Sequence, residues 1–389
     1  MKMMKLLTVI GARPQIIKAA AISRTIKENY SCKVEEKILH TGQHYDQNMS
    51  AVFFDELGIP QPDFNLGVGS GKHGEQTAKM IAGIEEVLMN EHFDGILLYG
   101  DTNSTLAGAV AASKIHVPIF HVEAGLRSHN MAMPEEVNRI VCDQLSSILF
   151  PPTETGMNNL KEEGFLKSNT RFKNGKTRLV VNSGDVMYDN SLYFRELAKE
   201  KCDIIKRLGL TKNGYVLATI HRDNNTDSQE RLTDIFRALL DIAEQDDVNI
   251  VIPLHPRTKK LLPLNLAPSV YVRLKDSDKV SIIPPASFFE IIELERHARL
   301  VMTDSGGVQK EAFFFERPCV IIRPETEWVE IVEHKAGILA DADYDRIIKA
   351  YQELTGKSIT FPPLFGNGKA AEIILETILD YLCGSYRIK

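Results

Sequence analysis

Three carboxylates stand close together in the chain: Asp101 after the apolar run Leu97-Leu98-Tyr99-Gly100, Glu123 after Ile119-Phe120-His121-Val122, and Glu135 in Met133-Pro134-Glu135-Glu136. Carboxyl groups crowded at a partly desolvated site raise at least one of their pKa values, which turns a carboxyl into a usable acid or base near neutral pH. The chemistry implied is removal and return of a proton. Two of the three follow short apolar runs that read as buried parallel strands, and in an open α/β sheet ligands bind beyond the carboxyl ends of such strands. Those two then face one crevice. The plainer alternatives are that Asp101 caps the helix expected over 103–114 and that Glu123 pairs with Arg127.

Other motifs converge on an anionic ligand. Gly11-Ala12-Arg13-Pro14-Gln15-Ile16-Ile17-Lys18 turns the first strand into the first helix, with Arg13 at the positive helix end and Lys18 further along. Thr303-Asp304-Ser305-Gly306-Gly307-Val308-Gln309-Lys310-Glu311 follows an apolar strand and opens a helix. Ser305, Gly306 and Gly307 can offer backbone N–H groups and a hydroxyl to a phosphate, and Glu311, one turn on, can accept from the two hydroxyls of a ribose. His221 and Arg222 end the first strand of the second half, and His255 ends the next. Gly69-Ser70-Gly71-Lys72-His73-Gly74 fits G-x-G-x-x-G, but Leu66 and His73 occupy places where a P-loop needs Gly and Ser or Thr, so it reads as a mobile loop near the crevice.

The elements that must carry these residues are short apolar runs alternating with amphipathic segments, the mark of repeated β-α units. The strands are expected at 6–10, 34–40, 95–99, 118–122, 148–151 and 179–181, then at 215–220, 248–254, 280–283, 300–303 and 319–322. A charged helix over 188–208 joins the two series. With 389 residues the chain suits two domains, expected at 1–186 and 187–367, with a C-terminal helix in 368–389 packing back on the first. Lys plus Arg number 46 against 52 Asp plus Glu, a net charge of −6, which argues against nucleic-acid or membrane binding. The five cysteines are scattered with no metal-ligand spacing, and no run approaches membrane-spanning length. The expectation is a cytoplasmic protein with reduced thiols and no metal site.

Taken together, GARPQIIK (11–18), TGQHYDQNM (41–49), GDTNSTLAGA (100–109), HVEAGLRS (121–128), MPEEVNRI (133–140), TIHR (219–222) and TDSGGVQKEA (303–312) resemble the non-hydrolysing UDP-N-acetylglucosamine 2-epimerases over essentially the full chain. The resemblance implies two Rossmann-like domains facing a central cleft, as in two-domain nucleotide-sugar glycosyltransferases, and a homodimer. It places Asp101, Glu123, Glu135 and His221 at catalytic positions, makes Arg13 and Lys18 active-site cations, and gives the UDP to Ser305, Gly306, Gly307 and Glu311, with Arg13 and His221 alongside. No cofactor is implied. The family's route removes the C2 proton, expels UDP to leave a glycal, and adds UDP back with a proton from the other face.

The chain departs from the family's common form in two places. Gln15 stands where Glu is usual, and Thr326-Glu327-Trp328-Val329-Glu330, preceded by Arg323, replaces T-E-R-P-E. Both changes resemble the branch acting on UDP-2,3-diacetamido-2,3-dideoxyglucuronic acid, a precursor of bacterial surface polysaccharide. Arg323, Glu327 and Trp328 are then candidate sugar-specificity residues: an indole offers apolar area for a second acetamido group, or else simply anchors the helix over 329–334. A hydrolysing epimerase and a UDP-sugar glycosyltransferase of the same fold are the alternatives.

Overall fold

The computed structural model describes residues 3–43, 58–167, 170–254 and 256–384. His255, residues 44–49 of the second motif and the end of the C-terminal segment lie outside the described residues. The described chain forms two compact units, Met1–Asn190 with Pro363–Lys389, and Ser191–Pro362. The divide falls inside the helix Val186–Lys201, a few residues beyond the expected boundary at 186.

In the first unit, β1 (Met4–Ile10), β2 (Val34–His40), β3 (Phe64–Asn65), β4 (Gly95–Tyr99), β5 (Ile119–Val122), β6 (Ile148–Phe150) and β7 (Leu179–Val180) form one parallel sheet in the order β3-β2-β1-β4-β5-β6-β7. Every residue of β4 and β5 is buried, which is why these strands read as unbroken apolar runs. Chain direction along the sheet reverses between β1 and β4, and such a switch point opens a crevice at the strands' carboxyl ends. Arg13 follows β1 and Asp101 follows β4, so the order of the strands brings these two turns together. The helix Ala370–Cys383 closes this unit: Asp189 caps it by accepting from Ala370 N (3.1 Å) and Ala371 N (2.8 Å), and Tyr381 meets Phe120 edge to face.

The second unit repeats the plan. Its strands are β8 (Tyr215–Thr219), β9 (Asn249–Pro253), β10 (Val280–Ile283), β11 (Leu300–Thr303), β12 (Cys319–Ile321) and β13 (Gly337–Leu339), in the order β10-β9-β8-β11-β12-β13. The switch point lies between β8 and β11, the strands that deliver His221 and Ser305. Thr219 Oγ1 and Thr303 Oγ1, 2.6 Å apart, pin those two ends together. Two strands, β3 and β13, depart from the sequence reading, being edge pieces too short to show an apolar run. The charged helix over 188–208 is also broken, ending at Lys201 and resuming at Ile204–Arg207.

Candidate active site

Asp101 and Glu123 each meet a cation. Lys18, from the helix Arg13–Thr25, forms an ion pair with Glu123 Oε2. Asp101 Oδ2 lies 2.6 Å from Arg139 Nη2 on the helix Pro134–Leu145. Asp101 and Glu123 thus each face a cation from a neighbouring helix. Glu123 does not pair with Arg127, which bonds instead to Asp143 and Glu163. Asp101 does not cap the helix Asn103–Ile115 either, because Thr102 does so by accepting from Thr105 N. Glu135 is exposed on the first turn of its helix, whereas its neighbour Glu136 is buried and accepts from Ser128 N (2.9 Å), His129 N (3.0 Å) and Arg139 Nη1 (2.8 Å). Burial alone would raise the Glu136 pKa, but these donors hold it below the usual carboxylate range, so Glu136 is the carboxyl committed to structure.

Backbone geometry marks the same place. Glu123 adopts a left-handed conformation with φ 69°, which costs a non-glycine residue about 1–3 kcal/mol and is kept where the surrounding structure imposes it. Gly100 has φ 61°, a conformation that favours glycine, and a Cβ there would sit 2.9 Å from Lys18 Nζ and 3.5 Å from Glu123 Oε2, so a side chain would shift the Lys18 ammonium. Gln15 locks the turn beneath: its Oε1 accepts from Gly11 N (2.9 Å), and its Nε2 donates to the Tyr99 carbonyl (2.9 Å) and Thr105 Oγ1 (3.0 Å). The departure at residue 15 is therefore a buried cross-link rather than a contact to ligand.

A cavity of about 510 Å³ opens over these groups, lined among others by Arg13, Asp101, Glu135, Gln43, His73 and Asn138. The glycine loop read as mobile is tied down at its rim. Val68 N and Gly69 N donate to the Thr41 and Gly42 carbonyls (both 3.0 Å), and Gln76 Nε2 donates to the Gly69 carbonyl (2.8 Å). His73, Gln76, Asn103 and Asn138 form an amide network reaching the Asp101 carbonyl, and sequence reasoning missed it because its members come from three helices.

In the second unit Asp304 accepts from His221 N, Arg222 N (each 3.1 Å) and Asn225 Nδ2 (3.0 Å), fixing the turn that presents the exposed His221 side chain. Ser305 is the N-cap of the helix Gly306–Phe314, whose first N–H groups have no acceptor within the helix. The two glycines differ. A Cβ at Gly306 would come within 2.4 Å of Glu327 Oε1, whereas one at Gly307 would meet only Ser305 Oγ at 3.9 Å. The positive end of this helix is thus open to an anion on the Gly307 side. Glu311 lies on the same helix, half-buried.

Residues 26–379 match the family described as UDP-N-acetylglucosamine 2-epimerase. The chain belongs to this family. The UDP-2,3-diacetamido-2,3-dideoxy-D-glucuronate 2-epimerase of Pseudomonas aeruginosa is 47% identical over 374 residues, covering 96% of this chain and 99% of that protein. The UDP-N-acetylglucosamine 2-epimerase of Methanocaldococcus jannaschii is 42% identical over 381 residues, covering 97% and 99%. The crystal structure of the M. jannaschii enzyme in complex with UDP-GlcNAc and UDP matches with a TM-score of 0.80 at 41% identity, over 97% of this chain and 100% of that one. The fold is accordingly that of the UDP-N-acetylglucosamine 2-epimerases, two parallel α/β sheets in one chain.

Of the two roles open to Trp328, the packing favours the helix anchor. Trp328 is 3% exposed, its backbone N–H donates to Thr326 Oγ1 (3.1 Å), and the Lys310 ammonium lies 4.1 Å from its ring centroid. The indole anchors the helix Val329–Glu333 and presents no open apolar area to a sugar. Arg323 is 4% exposed and pairs with Glu327 (3.0 Å), so these two brace the Gly306 turn. Trp328→Arg would bring a second cation beside Lys310 and empty a packed site. The expected result is a loss of about 3–5 kcal/mol in urea unfolding with substrate preference unaltered; a stable variant with altered preference would restore Trp328 to the sugar site.

Proposed function

We propose that the chain is a non-hydrolysing 2-epimerase of a UDP-2-acetamido sugar, working by elimination and re-addition of UDP. The observation that carries this reading is the pair of strand-end carboxylates, Asp101 and Glu123, each held against a cation, with Asp101 and Glu135 lining an open cavity, within a family match over residues 26–379. The C2–H of such a sugar is not acidic, so its removal needs a positioned base and must be coupled to departure of UDP. Asp101, Glu123 and Glu135 are the acid and base groups acting on opposite faces of the ring. As the C1–O bond breaks, its electron pair passes to the diphosphate. Arg13, Lys18, His221 and the Ser305-Gly306-Gly307 helix end stabilise that charge, and Glu311 takes the ribose hydroxyls. Residues 1–186 with the C-terminal helix then form the acid–base domain, and 187–367 the UDP domain.

The substrate we assign is the UDP-2,3-diacetamido-2,3-dideoxyglucuronate type, supported by the 47% identity to the P. aeruginosa protein of that name. Among the described residues no helix is long and apolar enough to cross a membrane. We place the enzyme in the cytoplasm as a homodimer supplying surface-polysaccharide precursors. Incubation with each UDP-sugar and product analysis by NMR tests this. The expected outcome is a mixture of two epimers still linked to UDP, with kcat/KM for the diacetamido-glucuronate exceeding that for UDP-GlcNAc by about 10²-fold or more. Release of free sugar and UDP would indicate the hydrolysing reaction, and efficient use of UDP-GlcNAc alone would reassign the substrate.

A further inference from the structure

Directly behind the two strand ends lies a buried ion cluster that the reaction as described does not use. His121, in β5, is completely buried. Its Nδ1 lies 2.7 Å from Asp143 Oδ1 and its Nε2 lies 2.8 Å from the Gly100 carbonyl oxygen. A carbonyl oxygen only accepts, so Nε2 must carry a hydrogen. Asp143 Oδ2 already accepts from Gly125 N (3.1 Å) and faces Arg127 Nη2 (2.8 Å), a cation that keeps this carboxyl ionised. An ionised carboxylate also only accepts, so Nδ1 carries a hydrogen too. A neutral ring would set one lone pair against another at one of these two short contacts.

We propose that His121 is a permanent imidazolium and a positioning residue of the reaction: with Asp143 it clamps the Gly100 and Gly125 turns that flank Asp101 and Glu123. The clamp reaches one residue before Asp101 through the Gly100 carbonyl and two residues after Glu123 through the Gly125 amide. Gly100 N in turn donates to the Val122 carbonyl (3.0 Å), so both turns are held from both sides. The left-handed Glu123 sits between these fixed points, and the clamp is what holds its strained backbone.

The charges around the ring come from several elements. Asp143 and Cys142 face it from the helix Pro134–Leu145, Arg127 from the loop after β5, Glu163 reaches Arg127 from the end of the helix Glu154–Glu162, and Arg178 approaches Asp143 from before β7. Burial alone would favour the neutral ring, but the Cys142 sulfur and the Asp143 carboxylate reverse this and raise the His121 pKa well above its ordinary value, while Asp143 is held low despite burial. A buried charge stripped of one partner is strongly unfavourable, which makes the cluster rigid.

The inference rests on the assignment of Asp101 and Glu123 to the chemistry, and its test separates the two. Long-range ¹H–¹⁵N spectra of the histidine-labelled wild-type protein, with the His121 ring assigned through its own Cβ, should show both ring nitrogens protonated and unchanged from pH 6 to 9. A neutral tautomer at pH 7 would overturn the imidazolium, whichever way amide variants of Asp101 and Glu123 behave. The second arm is Asp143→Asn, which keeps an acceptor and removes the charge, so that His121 loses its proton as pH rises. The kcat of this variant relative to wild type should fall by about 10-fold to 10²-fold between pH 6 and 9, with relative KM constant. A loss of the same size at every pH would mean that the cluster only stabilises the fold and would overturn the positioning role.

Discussion

Asp101→Asn and Glu123→Gln should each lower kcat by about 10²–10⁴-fold, with KM changed no more than a few-fold. The expectation follows from where the groups sit. Each carboxylate follows a fully buried strand that fixes its backbone, so the amide stands where the acid did, while each substitution also removes the charge that faces Arg139 or Lys18. Arg139 keeps Glu136 when Asp101 is neutralised, and Gln15 and the Thr102 cap continue to hold the turn. The capacity to take and return a proton is removed, together with the charge that faces Arg139 or Lys18. Glu135→Gln belongs to the same experiment, because Glu135 is exposed at the cavity while Glu136 carries the structural contacts of that turn. Steady-state kinetics with circular dichroism checks all three. If all three amides retained wild-type kcat, the acidic cluster would be structural.

Gly307→Val should weaken UDP binding by about 10–10²-fold, the equivalent of one or two lost hydrogen bonds to a charged group. The first turn of the helix Gly306–Phe314 is open at this residue, where a Cβ meets only Ser305 Oγ at 3.9 Å, so the new side chain starts into space above the helix end. The fold should therefore survive, and calorimetry with UDP reads the phosphate site alone. Gly306→Val makes the contrast: its Cβ would collide with Glu327 and disturb the Arg323 pair, so that variant should lose stability. Unchanged UDP affinity in a folded Gly307→Val protein would remove the helix end from the nucleotide site.

Much of this was legible from residue order because parallel strands buried on both faces leave continuous apolar runs. The turns at Gly11–Arg13, Asp101, Glu123, His221 and Ser305 could be placed by counting from those runs. What escaped was set by contacts across the sheet. Arg139 pairs with Glu136 three residues earlier, and its other nitrogen reaches Asp101 on a different element. His121 and Arg127 both lie within HVEAGLRS, but Asp143, which joins them, comes from the last turn of the following helix. Trp328 is a different case: its place in the sequence fits either a sugar contact or a helix anchor, and the packing against Lys310 shows it buried.

The central claim is that C2 is deprotonated and reprotonated by the enzyme. It is tested most directly by running the reaction in D₂O and reading C2 of both epimers by NMR. Removal and return of that proton by separate groups lets solvent enter, so deuterium is expected at C2 in product and, with time, in recovered substrate, with UDP still attached. Epimer formed with the original hydrogen retained at C2 would contradict the elimination and re-addition route.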